Sequence, residues 1–242
     1  MKLKVISALA LIVVLMIAAV LFYQKNRGFL YAGTIEATEV DLSSRLTGVI
    51  ESMPAEEGVR VKQGDILVSI AAEDVAVSAQ AALKDYNRAK ELLKAGSMNQ
   101  EQYDKVRFRY EDISVKMSWR SIAAPSAGTV LSVYKEPGEM VVPGTKLLTI
   151  ADLQRLWAYV YVPASMIPGL SLGMTVKGFL PDSKMREIEG TILLINNEAE
   201  FTPKNVQTRK ERTRLVYGVK IGFENNGGIL KPGMTVEMKL AE

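Results

Sequence analysis

The sequence contains no cysteine and no histidine among its 242 residues. A disulfide framework, a Cys/His zinc site, a cysteine nucleophile and a histidine general base are therefore all excluded. The formal net charge is only +3 and the charges are spread along the chain, which is not typical of a nucleic-acid-binding protein. A content of 48% hydrophobic and 24% charged residues is that of a folded globular protein. These absences favour a binding or architectural role over catalysis.

The N-terminus carries a long apolar run. Nineteen residues, Val5–Tyr23, lie between two lysines and the pair Lys25 and Arg27. At ~1.5 Å per residue a helix of this length spans about 29 Å, the thickness of the hydrocarbon core of a bilayer. The run ends in a bulky Phe-Tyr pair rather than a small-x-small cleavage site, so residues 1–27 are predicted to be an uncleaved membrane anchor. The flanking charges weakly favour a cytoplasmic N-terminus, which would place the rest of the chain outside the cytoplasm.

Residues 47–70 and 127–150 carry one glycine pattern twice. In each copy three glycines are spaced by ten and six positions, and each glycine of the second copy lies 80 positions after its counterpart. This pattern is typical of short strands separated by glycine turns. Six glycines are predicted to be structural turn residues: Gly48, Gly58, Gly64, Gly128, Gly138 and Gly144. We expect the two copies to pair as one small β-sandwich.

The segment between the two copies has a helical period. Apolar residues at alternating steps of four and three form one heptad seam in each of two stretches. The seams are Val75, Ala79, Ala82, Tyr86, Ala89 and Leu93, and Tyr103, Val106, Tyr110, Ile113 and Met117. Gly96 suits the position after a helix end, and Asn99 followed by Gln102 is typical of a helix N-cap. The pattern predicts two antiparallel helices of about 22 residues, a coiled-coil hairpin with its tip at residues 95–99.

Together these features resemble the HlyD-type membrane fusion proteins, the periplasmic adaptors of Gram-negative export systems. The resemblance rests on the half-motifs "GVIESMPAEEGVRVKQGDILVSI" and "AGTVLSVYKEPGEMVVPGTKLLTI", the hairpin between them and the preceding anchor. The segments "ADLQRLWAYVYV", "LGMTVKG" and "GGILKPGMTVEMKL" look like the adaptor β-barrel. The run "FTPKNVQTRKER" is most similar to adaptors paired with ABC transporters. The implied fold is mainly β, a lipoyl-like β-sandwich split by an α-helical coiled-coil hairpin, plus a β-barrel and an N-terminal transmembrane helix.

The resemblance also implies a division of the chain. The expected segments are a membrane anchor at 1–27, a linker or barrel strand at 28–43, lipoyl-like halves at 44–72 and 122–150, the hairpin at 73–121 and a β-barrel at 151–242. Many adaptors continue into a membrane-proximal domain after the barrel. Because the sequence stops directly after the barrel pattern, we expect that domain to be missing.

The function implied by the resemblance is that of a non-enzymatic adaptor anchored in the inner membrane, with most of the chain in the periplasm. Its implied partners are an ABC-type transporter, a TolC-type outer-membrane channel, further copies in a ring of six, and membrane lipid through the N-terminal helix. No cofactor and no nucleic acid are expected. An alternative is a scaffold or regulator of a transporter that works in the envelope without the channel. A lipoate or biotin carrier is disfavoured, because the hairpin occupies the place of the modified lysine.

In the family, the hairpin tip docks on the channel through an Arg, a Leu four residues later and a Ser seven residues after the Leu. This sequence has Arg88 and Leu92 in register, and Asn99 where the Ser would fall. The resemblance therefore implies that Arg88, Leu92 and Asn99 are docking residues. Since Asn also caps helices well, the departure at Asn99 bears on docking and not on the fold. No catalytic, cofactor-binding or metal-binding residue is predicted.

Overall fold

The computed structural model describes residues 30–201 and 215–240. They form two compact units, one of residues Ala37–Leu153 and one of the described residues within 1–36 and 154–242. The predicted anchor and most of the "FTPKNVQTRKER" run lie outside the described residues. Within the described ranges, no helix is both long enough and apolar enough to cross a membrane.

The described chain is mainly β with few helices, as the resemblance implied. The strands are β1 Tyr31–Ser43, β2 Gly48–Ser52, β3 Arg60–Val61, β4 Ile66–Ala71, β5 Ser121–Ala123, β6 Gly128–Val133, β7 Met140–Val141, β8 Lys146–Pro163, β9 Thr175–Leu180, β10 Arg186–Ile195, β11 Glu200–Phe201, β12 Leu215–Glu224 and β13 Thr235–Lys239. The α-helices are α1 Glu73–Lys94 and α2 Gln100–Ser118. Short 3-10 helices cover Ala164–Gly169 and Pro181–Ser183.

The unit Ala37–Leu153 is a β-sandwich. One of its sheets has the strand order β5-β4-β2-β7, and in the other β6 pairs with both β3 and the first part of β8. Apolar side chains of both sheets fill the space between them, and register shifts let adjacent residues such as Leu67 and Val68 both be buried. The inward side chains with almost no exposure include Ile50, Leu67, Ile70, Leu147, Leu148 and Ile150. Burial of each such side chain contributes about 1.5–3 kcal/mol relative to exposure, and this core holds the two half-motifs together.

The two half-motifs exchange the same backbone hydrogen bonds in both directions. The amide of Gly58 donates to the carbonyl of Val130 at 2.8 Å. Eighty positions later, the amide of Gly138 donates to the carbonyl of Ile50, also at 2.8 Å. Two further pairs of amide-to-carbonyl bonds match in the same way, all at 2.9 Å. The bond from Gly64 to Ala124 matches that from Gly144 to Ser44, and the bond from Ala124 to Asp65 matches that from Ser44 to Thr145. Residues that are 80 positions apart therefore occupy equivalent places, related by an internal pseudo-two-fold axis.

Four of the six glycines lie in turns with a positive φ, a region in which an L side chain is strained. These are Gly58 at +83°, Gly64 at +90°, Gly138 at +92° and Gly144 at +89°. Gly48 and Gly128 differ from the prediction, because they begin strands β2 and β6 and have no positive φ. Both lie against the backbone of a neighbouring strand that leaves no room for a side chain.

The second unit contains a closed ring of six strands. Strand β12 pairs with β10 and β8, β10 with β9, β9 with β13, β13 with β1, and β1 with β8. Strand β11 adds a short edge to β12. The fully buried side chains of the six-stranded ring include Val160, Val162, Val219, Ile221, Val236 and Met238. A β-barrel is therefore present in the region where the C-terminal sequence segments predicted one.

The insert between β4 and β5 is a pair of helices packed along their seams. All predicted seam residues of α1 and α2 are buried or half-buried, with Ala82 and Ala89 the fully buried residues of α1. The ring of Tyr86 on α1 stacks on that of Tyr110 on α2, with 4.8 Å between centroids and 9° between planes. No residue of α2 is fully buried. The pair is thus two helices thick, and the faces away from the seams are exposed.

The base of the helix pair is tied to the sandwich through Arg120. The amide of Ile70, at the end of β4, donates to the Arg120 carbonyl at 2.8 Å. In return, the Arg120 Nε donates to the Ile70 carbonyl at 3.0 Å. The Arg120 guanidinium also lies 3.8 Å from the Glu51 carboxylate. The two ends of the insert are therefore held side by side where they leave the sheet.

Candidate functional site

The turn between α1 and α2 is stabilised at both ends. After Lys94 the chain passes through Gly96, whose φ is +69° and whose amide donates to the Leu93 carbonyl at 3.0 Å. The side-chain oxygen of Asn99 accepts a hydrogen bond from the Gln102 amide at 2.9 Å. This bond satisfies one of the free amides at the start of α2, so Asn99 has the N-cap role that the sequence predicted.

A shallow groove of about 200 Å³ lies on one side of the helix pair near this turn. It is lined by Ala82, Asp85, Arg88, Ala89, Leu92, Met98, Val106 and Arg109. The two alanines are the buried residues of α1, and their small side chains leave the space that the groove occupies. The structure thus brings Arg88 and Leu92 together in one groove, while Asn99 caps α2 and does not line it.

Arg88 and Leu92 are both accessible to a partner. They lie four residues apart and so project from the same face of α1. Leu92 is 37% exposed. The side chain of Arg88 is 73% exposed, and its guanidinium lies 3.8 Å from the carboxylate of Asp85. Because an ion pair this exposed contributes little to stability, Arg88 can leave Asp85 and bind another acceptor.

Three groove residues were not predicted from the sequence. Met98 lies in the turn, Asp85 precedes Arg88 by one helical turn, and Arg109 comes from α2. With two arginines and one aspartate, the charged lining carries a net positive charge around an apolar strip of Leu92, Met98 and Val106. The seam pattern predicts that the two helices meet, but only their relative register brings Arg109 beside Arg88.

The sandwich carries a separate polar cluster that joins β1 to β8. The hydroxyl of Thr149 donates to Asp41 Oδ1 at 2.7 Å, and the Lys146 ammonium lies 2.9 Å from the same oxygen. The hydroxyls of Tyr134 and Thr149 are 3.1 Å apart. Hydrogen bonds from Lys146 and Thr149 lower the pKa of Asp41, and the bond to Asp41 raises the pKa of Lys146. In the part of the chain that the structure covers, no group of three or more carboxylates could hold a metal ion.

The domain that carries the groove matches a known family. Residues 38–152 match the CzcB-like barrel-sandwich hybrid domain, a range that includes both half-motifs and the helix pair. Among curated relatives, the chain is 35% identical over 117 residues to "UPF0194 membrane protein in asrC 5'region" of Acidithiobacillus ferridurans. That alignment covers 48% of this chain and 35% of the relative, so the chain spans about a third of the length of this relative. "UPF0194 membrane protein Ent638_1286" of Enterobacter sp. strain 638 is 24% identical over 99% of this chain and 98% of its own length.

Solved structures share the fold over most of the chain. A MacA-MexA chimeric protein that contains the Pseudomonas aeruginosa MexA α-hairpin domain aligns with a TM-score of 0.67 and 21% identity, over 89% of this chain and 82% of its own. The membrane fusion protein Spr0693 of Streptococcus pneumoniae R6 aligns with a TM-score of 0.62 and 20% identity, over 88% and 98%. The protein thus has the membrane fusion protein fold, which confirms the resemblance.

Proposed function

We propose that the protein is a non-enzymatic adaptor that links an inner-membrane transporter of the ABC type to a TolC-type outer-membrane channel for export across the envelope. The observation that carries this proposal is the groove next to the turn of the helix pair. It combines an exposed leucine with two arginines at the end of a projecting element. The membrane fusion protein fold supports the adaptor role.

The helix pair acts as a coiled-coil hairpin that presents the groove to the channel. Leu92 fills an apolar recess of the channel, while Arg88 and Arg109 bind carboxylate or carbonyl oxygens beside it. Asn99 holds the turn in shape, which makes its contribution to docking indirect. One such contact is weak, but copies arranged in a ring engage the channel together, and the combined affinity exceeds that of one tip.

The remaining segments have the roles that the resemblance implies. Residues 1–27 anchor the chain in the inner membrane, 28–43 link the anchor to the folded part, 44–72 and 122–150 form the lipoyl-like ring, 73–121 form the hairpin and 151–242 form the barrel. The apolar run and the "membrane protein" names of the relatives support the anchor. The "FTPKNVQTRKER" run supports an ABC-type partner, and the ring of six follows the family.

The proposal is tested by reversing one charge in the groove. Full-length tagged protein is crosslinked in cells, extracted in mild detergent, and its partners are quantified by mass spectrometry. Arg88→Asp should lower recovery of the outer-membrane channel at least about tenfold, since loss of an interfacial charged contact costs more than about 1.4 kcal/mol. Recovery of the transporter should not change.

Lys90→Asp is the matched control. Lys90 is an exposed residue of the same helix that does not line the groove, so the same charge reversal should leave the channel bound. Channel recovery that is equal in both variants would contradict docking through the groove. Recovery of a transporter but no channel from the parent protein would instead support the channel-independent scaffold.

A further inference from the structure

The internal two-fold axis allows the two edges of the sandwich to be compared position by position. Strand β7 is the last strand of the four-stranded sheet, and β3 is the last strand of the other. The two strands are equivalent, because Met140 in β7 follows Arg60 in β3 by 80 positions. The backbone of one edge therefore repeats that of the other, and only the side chains differ.

The β7 edge is apolar. Met140 is 68% exposed, Val142 is 50% exposed, and Val49, which pairs with Met140 across the strands, is 42% exposed. We call these three residues the apolar edge. Three neighbouring apolar side chains with this exposure form a patch whose contact with water is unfavourable.

The β3 edge is basic at the equivalent positions. At the positions equivalent to Met140, Val142 and Val49, the β3 edge has Arg60, Lys62 and Thr129. The side chains of Arg60 and Lys62 are both exposed. We call these three residues the basic edge. Charged side chains on an edge strand are a common protection against pairing with another chain. The β3 edge has this protection, and the equivalent β7 edge does not.

We propose that the apolar edge of one copy packs against the basic edge of a second copy of this chain. An acidic side chain next to the apolar edge fits this partner: Glu136 is exposed, whereas the Glu139 carboxylate is held within the same copy by the Lys135 ammonium at 2.6 Å and by the Glu136 amide at 2.9 Å. At the site equivalent to Glu139, the basic edge has Val59, which is 45% exposed. Met140 therefore meets Val59 and the aliphatic stems of the two cations, whose charged ends reach the Glu136 carboxylate.

Pairing of like edges is disfavoured by the same charges. Two apolar edges face to face would bring the exposed Glu136 side chains of both copies together, and two basic edges would bring Arg60 and Lys62 against the same cations of the other copy. The contact therefore joins two different surfaces of the chain. A contact of this kind repeats from copy to copy and closes into a ring if the rotation between copies allows it. The inference specifies the interface of the ring in the proposed function, and it does not depend on the channel.

Cysteine crosslinking tests the pairing, because the parent chain has no cysteine. The full-length Met140→Cys, Arg60→Cys double variant, treated in membranes with a short bis-maleimide, should form a ladder of covalent multimers. Each single variant should stay monomeric on a denaturing gel. Val77→Cys combined with Arg60→Cys is the control, since Val77 on α1 is as exposed as Met140, at 68%, and should give no ladder. Absence of a ladder from the double variant, or a dimer from Met140→Cys alone, would overturn the proposal.

A second variant tests the protection of the edge directly. Met140→Arg with Val142→Lys copies the basic edge onto β7, and the fold should tolerate it because the equivalent positions already hold these residues. The protein concentration needed for half-maximal assembly in detergent should rise at least about tenfold, as on loss of an interface hot spot. Unchanged assembly would contradict the proposal. Arg88→Asp should leave the ladder intact, so failure of channel docking and failure of this interface are distinguished.

Discussion

Gly48 lies directly against the backbone of Ala71: a Cβ atom at Gly48 would be only 2.4 Å from the Ala71 carbonyl oxygen. Eighty positions later, Gly128 has the same relation to Ala151, with a distance of 2.9 Å. The first glycine of each half-motif thus allows two strands to approach closely. The other glycines of the pattern instead allow the chain to turn.

Substitution of Gly48 should be costly for this reason. Gly48→Ala should lower the free energy of unfolding by about 1–3 kcal/mol, as for other overpacked sites, because the clash is with backbone that cannot rotate away. Denaturant unfolding of purified protein measures the change. Gly169→Ala is the control, since no atom lies within 4 Å of the added Cβ and its φ is not positive. Equal stability of the two variants would refute the close-approach role.

The capping role of Asn99 can be separated from docking. Asn99→Ala removes the bond to the Gln102 amide and should destabilise the start of α2 by about 1 kcal/mol, seen as faster hydrogen exchange there. Asn99→Ser keeps a capping oxygen and should exchange like the parent protein. If Asn99→Ala also exchanged like the parent, the hydrogen bond would have no stabilising role.

The Asp41 cluster predicts a pH dependence of stability. The pKa of Asp41 is lowered below 3.8, so its stabilising contribution is present above pH 3.8 and is lost as the pH falls through the folded-state pKa. The pKa of Lys146 is raised above 10.5, so its contribution is lost only as the pH rises beyond that value. Asp41→Asn should be less stable than the parent protein at neutral pH. The difference should vanish in strong acid, and thermal unfolding at both pH values would show whether it does.

Arg120 should determine how firmly the helix pair is held at its base. Arg120→Ala leaves the Ile70 carbonyl without its side-chain donor and should reduce stability by about 1–3 kcal/mol. Hydrogen exchange at the first turn of α1 should become faster. Arg88→Ala is the comparison, because Arg88 contacts only an exposed Asp85 and should change stability by about 0.5 kcal/mol or less. A loss as large for Arg88→Ala would mean that the effect is not specific to the base.

The parts of the fold that depend on local pattern could be predicted from the sequence. Tyr86 and Ala89 lie in the seam because a heptad repeat places them there, whatever the rest of the chain does. Gly58 and Gly138 adopt a positive φ because their own turns require it. Each of these features is determined by a few residues that are close together in the chain, so it can be predicted from the sequence alone.

The remaining features depend on residues that are distant in the chain. Gly48 was predicted in a turn, and only the position of Ala71 shows why a side chain is excluded. Arg109 was missed because the register between α1 and α2 brings it to the groove. The sandwich unit begins at Ala37, in the middle of strand β1, which is continuous from Tyr31 to Ser43. Because the strand is not interrupted there, no turn signal in the sequence marks this boundary.

The most direct test of the adaptor account is a photo-crosslink from the groove in intact cells. The cysteine-free chain allows Leu92→Cys to carry a single benzophenone-maleimide, with Val77→Cys as the exposed control on the same helix. The account predicts that the Leu92 probe, and not the Val77 probe, crosslinks to an outer-membrane channel identified by mass spectrometry. If the Leu92 probe captured only the transporter or other copies of the chain, the helix pair would not be the channel-docking element.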